Sequence, residues 1–196
     1  MKHLNIQLQK PLTTTQGLSA MNKIILYIAT SLDGFIADIH GGVDWLPHPK
    51  DDVELETVGY NALMSRIDTI LMGSRSYKQI LSFGDWGWPD KKTYVFTSKQ
   101  LEIDKPYISI THDNPFEFMA KLKESKSDKD IWLLGGAQLA QGFAQEGLID
   151  EVILTIVPQT LGAGIPLGLI FESFDFRSEK ALMDGMIQKV YLRKGL

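Results

Sequence analysis

Cysteine is absent from the 196 residues, which excludes a disulfide framework, a thiolate nucleophile and every cysteine-ligated zinc or iron–sulfur site. With no disulfides to form, the expected compartment is the cytosol. No apolar run approaches the roughly 18 residues of a membrane span, and Leu4-Asn5-Ile6-Gln7-Leu8-Gln9 is too polar for a signal-peptide core. Charge of one sign is not in excess. The 24 acidic and 20 basic side chains leave a net charge of -4, too little cationic surface for DNA or an anionic bilayer, so neither nucleic acid nor membrane is an expected partner. The four histidines, His3, His40, His48 and His112, show no HxxxH or HExxH spacing, and no metal is expected. Internal repeats and low-complexity tracts are missing as well.

What is there is ordinary globular composition, 44% apolar and 22% charged, in a length that fits one compact domain. Residues 1–20 mix Lys, Gln, Thr and Pro without periodicity and read as a flexible extension, or as the product of a start codon upstream of Met21. The single domain is expected over 21–196. From Lys23 onward, short β-branched or aromatic runs alternate with segments of helical period, the pattern of an α/β domain with a largely parallel sheet. Strands are expected near 23–30, 68–73, 92–97, 107–111, 130–134 and 150–157, with a terminal pair near 169–176 and 185–193. Glu179 to Gly185 is too short a link for a crossover helix, so that last pair should be an antiparallel hairpin.

Between the strands, Val53, Thr57, Tyr60, Met64 and Ile67 recur at helical steps and predict one amphipathic helix after Asp51. Asp113 or Asn114 can cap a helix that has Pro115 at its first position and runs to about Leu122. A further helix follows Gly135-Gly136, with Ala137, Leu139, Ala140, Phe143 and Ala144 on its apolar face and Gly147 closing it.

Several motifs carry two readings. Gly73 and the pair Gly135-Gly136 each end an apolar strand and open a helix. That arrangement exposes backbone N–H groups and a positive helix end to an anion, and two such turns point to a cofactor with more than one phosphate; equally, a tight turn needs glycine for backbone reasons. Asp33-Gly34 is a common turn signal. Gly41-Gly42-Val43-Asp44-Trp45 suits a mobile loop over a ligand or a surface excursion pinned by Trp45. Asp51-Asp52-Val53-Glu54 reads as a capping box or as a source of catalytic acids. Trp86-Gly87-Trp88 packs on the body or walls a planar ligand. Two motifs fail. The glycines from Gly162 to Gly168 have the wrong spacing for a dinucleotide fingerprint, and Gly73-Ser74-Arg75-Ser76-Tyr77 lacks the serine-centred pattern of a nucleophile elbow.

Taken in order, Ala29-Thr30-Ser31-Leu32-Asp33-Gly34-Phe35-Ile36-Ala37, Asp68 to Tyr77, Val95-Phe96-Thr97-Ser98 and Trp132 to Leu139 resemble the dihydrofolate-reductase-like superfamily. The branch is that of the C-terminal reductase domain of bacterial riboflavin biosynthesis and its stand-alone relatives. Leu148-Ile149-Asp150-Glu151 and Pro158 to Leu167 extend the match, which covers about residues 22–193.

The resemblance implies an NADPH-dependent reductase of a small heterocycle (pterin, folate or pyrimidine-like) or a sugar imine, with a mostly parallel central sheet, flanking helices and a C-terminal antiparallel hairpin. It implies that Gly73, Ser74, Arg75 and Ser76, together with Gly135, Gly136, Ala137, Gln138 and Leu139, cradle the cofactor phosphates. Thr97, Ser98 and Lys99 would lie near the adenosine 2′-phosphate, where a hydroxyl and a cation favour NADPH over NADH. Ala29 and Ile36 resemble the floor of the nicotinamide pocket. Asp33 would face the substrate, and Asp52 and Glu54, beside Asp51, are candidates for the first-helix acid that supports protonation in dihydrofolate reductases. Where the family has arginine directly after the motif glycine, Ser74 stands here and Arg75 follows. Relatives are often homodimers, which carries over as an expectation. The zinc-deaminase signature of the bifunctional relatives needs cysteines, so deamination is excluded. A module that binds a nucleotide or senses a ligand without turnover is the other reading of the same fold.

Overall fold

The computed structural model describes residues 22–47, 51–122, 127 and 129–195; the extension expected over 1–20 lies outside the described residues. The apolar runs become the strands β1 (Ile24–Ser31), β2 (Phe35–Ala37), β3 (Ile67–Gly73), β4 (Lys92–Phe96), β5 (Ile108–Thr111), β6 (Asp130–Gly135), β7 (Glu151–Val157), β8 (Ile165–Pro166), β9 (Phe174–Ala181) and β10 (Ile187–Arg193). The segments of helical period become α1 (Asp52–Thr57), α2 (Tyr60–Arg66), α3 (Ser74–Ser82), α4 (Pro115–Leu122) and α5 (Ala137–Gln145). Eight strands form one sheet in the order β5-β4-β3-β6-β1-β7-β10-β9. From β5 to β7 all neighbours are parallel, and β10 and β9 add the expected antiparallel end; Glu179 to Ala181, expected in the link, belong to β9, and the link is 182–186.

Both faces of this sheet are buried because side chains alternate along each strand. In β1, Ile24, Leu26 and Ile28 face one layer and Ile25 and Tyr27 the other. The first layer contains α4 and α5, packing Phe118, Met119, Ala140 and Phe143 on Leu71, Leu133 and Val152. The second contains α2 and α3, packing Leu63 and Tyr77 on Ile70, Met72, Val95 and Trp132. Each wholly buried Leu or Ile contributes about 1.5–3 kcal/mol, so the two layers hold the sheet from both sides. Crossovers between parallel strands are right-handed. The chain therefore moves from β1 through β3 to β5 with helices on the second face, then returns through β6 to β7 with helices on the first.

Aromatic rings form a contiguous train in the second layer. Tyr27 meets Trp132 at 6.2 Å between centroids, Trp132 meets Trp88 at 5.2 Å, Trp88 meets Trp86 at 5.3 Å and Trp86 meets Tyr77 at 5.7 Å. Trp86 and Trp88 thus pack on the body. At the opposite, N-terminal edge of the strands, the Arg66 guanidinium donates to Asp130 at 3.1 Å and to both carboxylate oxygens of Glu151 at 3.3 and 2.8 Å.

Two expectations need correction, and one small sheet was not foreseen. The single helix after Asp51 is two helices, broken at Val58-Gly59, where Gly59 takes φ 77° and the freed Val58 carbonyl accepts from the Tyr27 hydroxyl and from Gln188 Nε2. The first hairpin strand begins at Phe174, not near 169: Leu169 and Phe171 pack on the core, while β9 is an exposed edge strand of alternating charge that shows no apolar run. A small sheet of β2 and β8 was not expected, being too short to register as a pattern. The open choice at α4 falls to Asn114, whose Oδ1 accepts from Glu117 N at 2.9 Å.

Candidate functional site

Parallel strands end at a common edge, so the segments that follow them line up in the order of the strands. Residues 97–99 follow β4, 74–76 follow β3, 136–139 follow β6, and 32–34 follow β1 before β2. At about 4.8 Å per strand, the row from β4 to β1 spans roughly 14 Å. At its middle the topology reverses, because β3 runs into α3 on the second face and its neighbour β6 runs into α5 on the first. The two helices diverge and open a crevice between their N-termini, the place where open α/β sheets bind ligands.

Gly73 and Gly136 are the N-caps of α3 and α5, and neither helix start has a side-chain cap, so the first N–H groups of both face the crevice without an intrahelical partner. The bends touch: Gly136 N–H donates to Ser76 Oγ at 3.0 Å, and a Cβ on Gly73 would sit 3.9 Å from the Gly135 carbonyl oxygen. Gly73 has φ -79° and Gly136 φ -54°, values any residue adopts, and an added Cβ at either would make only ordinary contacts. Neither turn requires glycine. Gly135 does, at φ 108°. The bare backbone at Gly73 and Gly136 instead leaves room for a group outside the protein to come close.

Around the crevice, Ser74 and Ser76 are half-buried. Arg75 is exposed in the first turn of α3, and no hydrogen bond or ion pair holds it among the described residues. Ala137 is buried, Gln138 exposed, and Leu139 packs on the first core. Beyond β4, Thr97 Oγ1 accepts from Lys99 N at 3.0 Å, and His112 Nδ1 lies 2.6 Å from the Thr97 carbonyl, so that nitrogen carries the proton. Ser98 and Lys99 are exposed there, beside a cavity of about 340 Å³ lined by Gln100, Leu101, Glu102, Ile110 and His112.

On the other side of the crevice, Ala29 sits on the second face of β1, in register with Thr155 of β7, and Ile36 belongs to β2 and packs on the first core. Asp33 is spent on the backbone. It accepts from the Ser31 hydroxyl at 2.6 Å, from Leu161 N at 3.2 Å and from Gly162 N at 2.8 Å. The Ser31 hydroxyl, ahead of the two amides, holds its carboxyl below the usual carboxylate range. An ionised group so engaged ties the β1 loop to the loop after β7 and has no proton to give. Asp52 and Glu54 stand in the first turn of α1, Asp52 exposed and Glu54 half-buried, behind Asp51, whose Oδ1 accepts from Glu54 N at 2.9 Å. No hydrogen bond among the described residues joins Asp52 to the strand-end row.

Sequence reasoning missed the residues that hold the loops. Asp38 Oδ1 accepts from His40 N and Gly42 N, at 2.7 and 2.8 Å, and closes a turn that Gln79 Nε2 fastens to α3 through the Gly41 carbonyl at 2.7 Å. Asp38-x-His40-x-Gly42 is an Asx-turn pattern and was legible; the partnership of Gln79, 38 residues away, was not. Among the described residues no group of three or more His, Asp or Glu side chains is placed to hold a metal ion, and no helix is long and apolar enough to cross a membrane.

Comparison with known proteins shows the family and the fold. The RibD C-terminal domain family matches residues 22–184. The uncharacterized protein YwjB of Bacillus subtilis (strain 168) is 37% identical over 147 residues, covering 74% of this chain and 82% of YwjB. The crystal structure of a Shewanella sp. PV-4 protein, described as belonging to riboflavin biosynthesis, superposes with TM-score 0.72 at 32% identity, covering 88% of this chain and 99% of that one. A Thermotoga maritima diaminohydroxyphosphoribosylaminopyrimidine deaminase/5-amino-6-(5-phosphoribosylamino)uracil reductase shares the fold with TM-score 0.64 at 16% identity, over 88% of this chain and 56% of that one.

Proposed function

Because this chain belongs to the RibD C-terminal domain family, with its dihydrofolate-reductase-like fold, we propose that it is an NADPH-dependent reductase of a small heterocyclic or imine substrate. The observation that carries the reading is the pair of touching helix N-termini at the reversal of the sheet, each capped by a glycine that its own backbone does not need. The residues present suit a dinucleotide. Free N–H groups in the first turns, Ser74–Ser76 and Ala137–Leu139, would meet the pyrophosphate, with Ser76 bridging the two bends and Arg75 adding charge. Ser98 and Lys99, two strands from β6, would meet a 2′-phosphate, which favours NADPH over NADH. Ala29 and Ile36 would border the nicotinamide.

When bound, the cofactor supplies hydride. The protein's share is orientation and exclusion of water, and in this reading Asp33 is a positioning residue that keeps the loop after β7 against β1. Asp52 and Glu54 remain the candidates for supporting protonation. The exposed apolar side chains Ile170, Phe176 and Ile187 at the β9 end would be covered by a second copy of the chain.

Titration with NADPH and NADH tests the reading: micromolar or tighter binding of NADPH, weaker binding of NADH, and single-turnover oxidation of bound NADPH by a pterin or pyrimidine acceptor are expected. Binding of neither nucleotide would sink it. Binding without oxidation by any acceptor would leave the sensing module in its place.

A further inference from the structure

The chain from Gly34 to Gly42 is fastened to both faces of the sheet. On the first face, β2 pairs with β8, Phe35 opposite Pro166 and Ala37 opposite Ile165, and Leu167 N donates to the Gly34 carbonyl at 3.1 Å. Gln141 of α5 in turn donates through Nε2 to the Leu167 carbonyl at 3.0 Å. These pieces meet without a gap, since a Cβ on Gly164 would strike the Ala37 carbonyl and one on Gly168 the Gln141 amide. At its other end the segment reaches the second face. There the turn that Asp38 closes presents the Gly41 carbonyl, which accepts from Gln79 Nε2 of α3 at 2.7 Å. A carbonyl only accepts, so both glutamines must turn the amide nitrogen toward the backbone they hold.

Gln79 and Gln141 occupy matching places. Each is half-buried in the second turn of a helix whose first turn opens on the crevice. Together with the bond from Gly136 N–H to Ser76 Oγ they complete a ring of contacts. It runs from Ser76 along α3 to Gln79, across to Gly41, back along the chain to Gly34, over to Leu167, and through Gln141 along α5 to Gly136. The helical sides are rigid and short, about 4.5 Å from Ser76 to Gln79 and about 7.5 Å from Gly136 to Gln141. The strap from Gly34 to Gly41 is the long side, able to reach about 25 Å when extended, so its course depends on where it is held. Ile36, which in the reading above borders the nicotinamide, belongs to this strap and lies between the two fastenings.

Resting on the reductase reading, we propose that Gln79 and Gln141 are positioning residues for the nicotinamide half of the cofactor. Neither touches it. Each anchors one end of the strap to one of the two diverging helices, and the pair thereby sets where Ile36 stands against the nicotinamide. The phosphates are met by the first turns of α3 and α5 and the adenosine end lies beyond β4, so the fastenings bear on one half of the dinucleotide and leave the other alone. Hydride transfer makes that placement matter, because a misplacement of about 1 Å at the reacting atoms costs on the order of a hundredfold in rate. The ring also joins the two sites in one structure: the helices that receive the phosphates hold the wall beside the reacting ring.

Gln79→Met and Gln141→Met keep the length and helix preference of the side chain and remove its donor. The full chain and both variants are titrated calorimetrically with NADPH and with adenosine 2′,5′-bisphosphate, which has the phosphates of the adenosine half and no nicotinamide. Loss of one hydrogen bond should weaken NADPH about threefold to tenfold in either variant. Affinity for the bisphosphate should stay within about twofold of the unaltered chain's, and that binding also reports a folded crevice. Equal weakening of both ligands overturns the proposal, since the glutamines then serve the helices as a whole; unchanged NADPH affinity overturns it too. Failure of the unaltered chain to bind NADPH removes instead the reductase reading on which the proposal rests.

Discussion

At the scale of single residues, Gly73 separates folding from binding. Its backbone angles suit any residue and a methyl group would meet nothing closer than 3.9 Å, so Gly73→Ala should change stability by no more than about 1 kcal/mol in denaturant unfolding. The same methyl would stand between the first turn of α3 and a phosphate, and NADPH affinity should fall at least about tenfold. An equal loss of stability and affinity would refute the close-approach argument. Arg75→Ala tests the charge: binding should weaken and become less sensitive to salt, because an exposed cation acts through a screened field. Asp33 makes a prediction about acid. Its pKa is depressed below 3.8, so its ties to Leu161 and Gly162 are fully present above the ordinary carboxylate range and are lost only as pH falls through the lowered value. Amide exchange at those two positions should stay slow at about pH 4, where an unassisted aspartate is half protonated, and quicken below it; Asp33→Ala should quicken it at neutral pH as well.

Elements show what could be read in advance and what could not. Seven strand positions, β1, β3 to β7 and β10, were legible because β-branched runs bounded by polar turns leave a local signal. Capping was legible too: Asp51 caps α1 and Asn114 caps α4 through side-chain oxygens whose spacing is visible in one dimension. The break between α1 and α2 was not. The apolar stripe from Val53 to Ile67 continues in phase across it, and what interrupts the helix is a distant demand, Tyr27 and Gln188 both donating to the Val58 carbonyl. Gly59 permits the break by adopting φ 77°, with its nearest neighbour for a Cβ 3.7 Å away, so Gly59→Ala should cost about 1 kcal/mol from conformation alone, measured by thermal or chemical unfolding. The position of β9 was hidden for the opposite reason. An exposed edge strand buries no face, and beyond Phe176 the run Arg177-Ser178-Glu179-Lys180 has no apolar residue to alternate with its charges. For the crevice, the glycine-opened turns could be located from the sequence; that they touch follows from β6 inserting between β3 and β1, which no local pattern announces.

For the whole molecule, a ligand bridging α3 and α5 ties together helices on opposite faces and should stabilise the entire sheet. At a hundredfold excess over its dissociation constant it contributes about 2.7 kcal/mol, which for a chain of this size raises the unfolding midpoint by roughly 5–10 °C. NADPH should give that shift in a melting experiment and NADH a smaller one at equal concentration; no shift with either would contradict the placement at both helix ends. The strand order has a consequence for how the protein is made. Among the described residues, central strand β1 pairs only with β6 and β7, through Ile24 with Ile131 and Ile25 with Glu151. As the chain leaves the ribosome, its first strand therefore waits for more than half of the polypeptide to be synthesised before either neighbour exists. Until then β3, β4 and β5 can assemble while β1, with Ile25 and Leu26 unsheltered, has nowhere to dock, so nascent chains ending before Asp130 should be the species that chaperones hold and proteases cut.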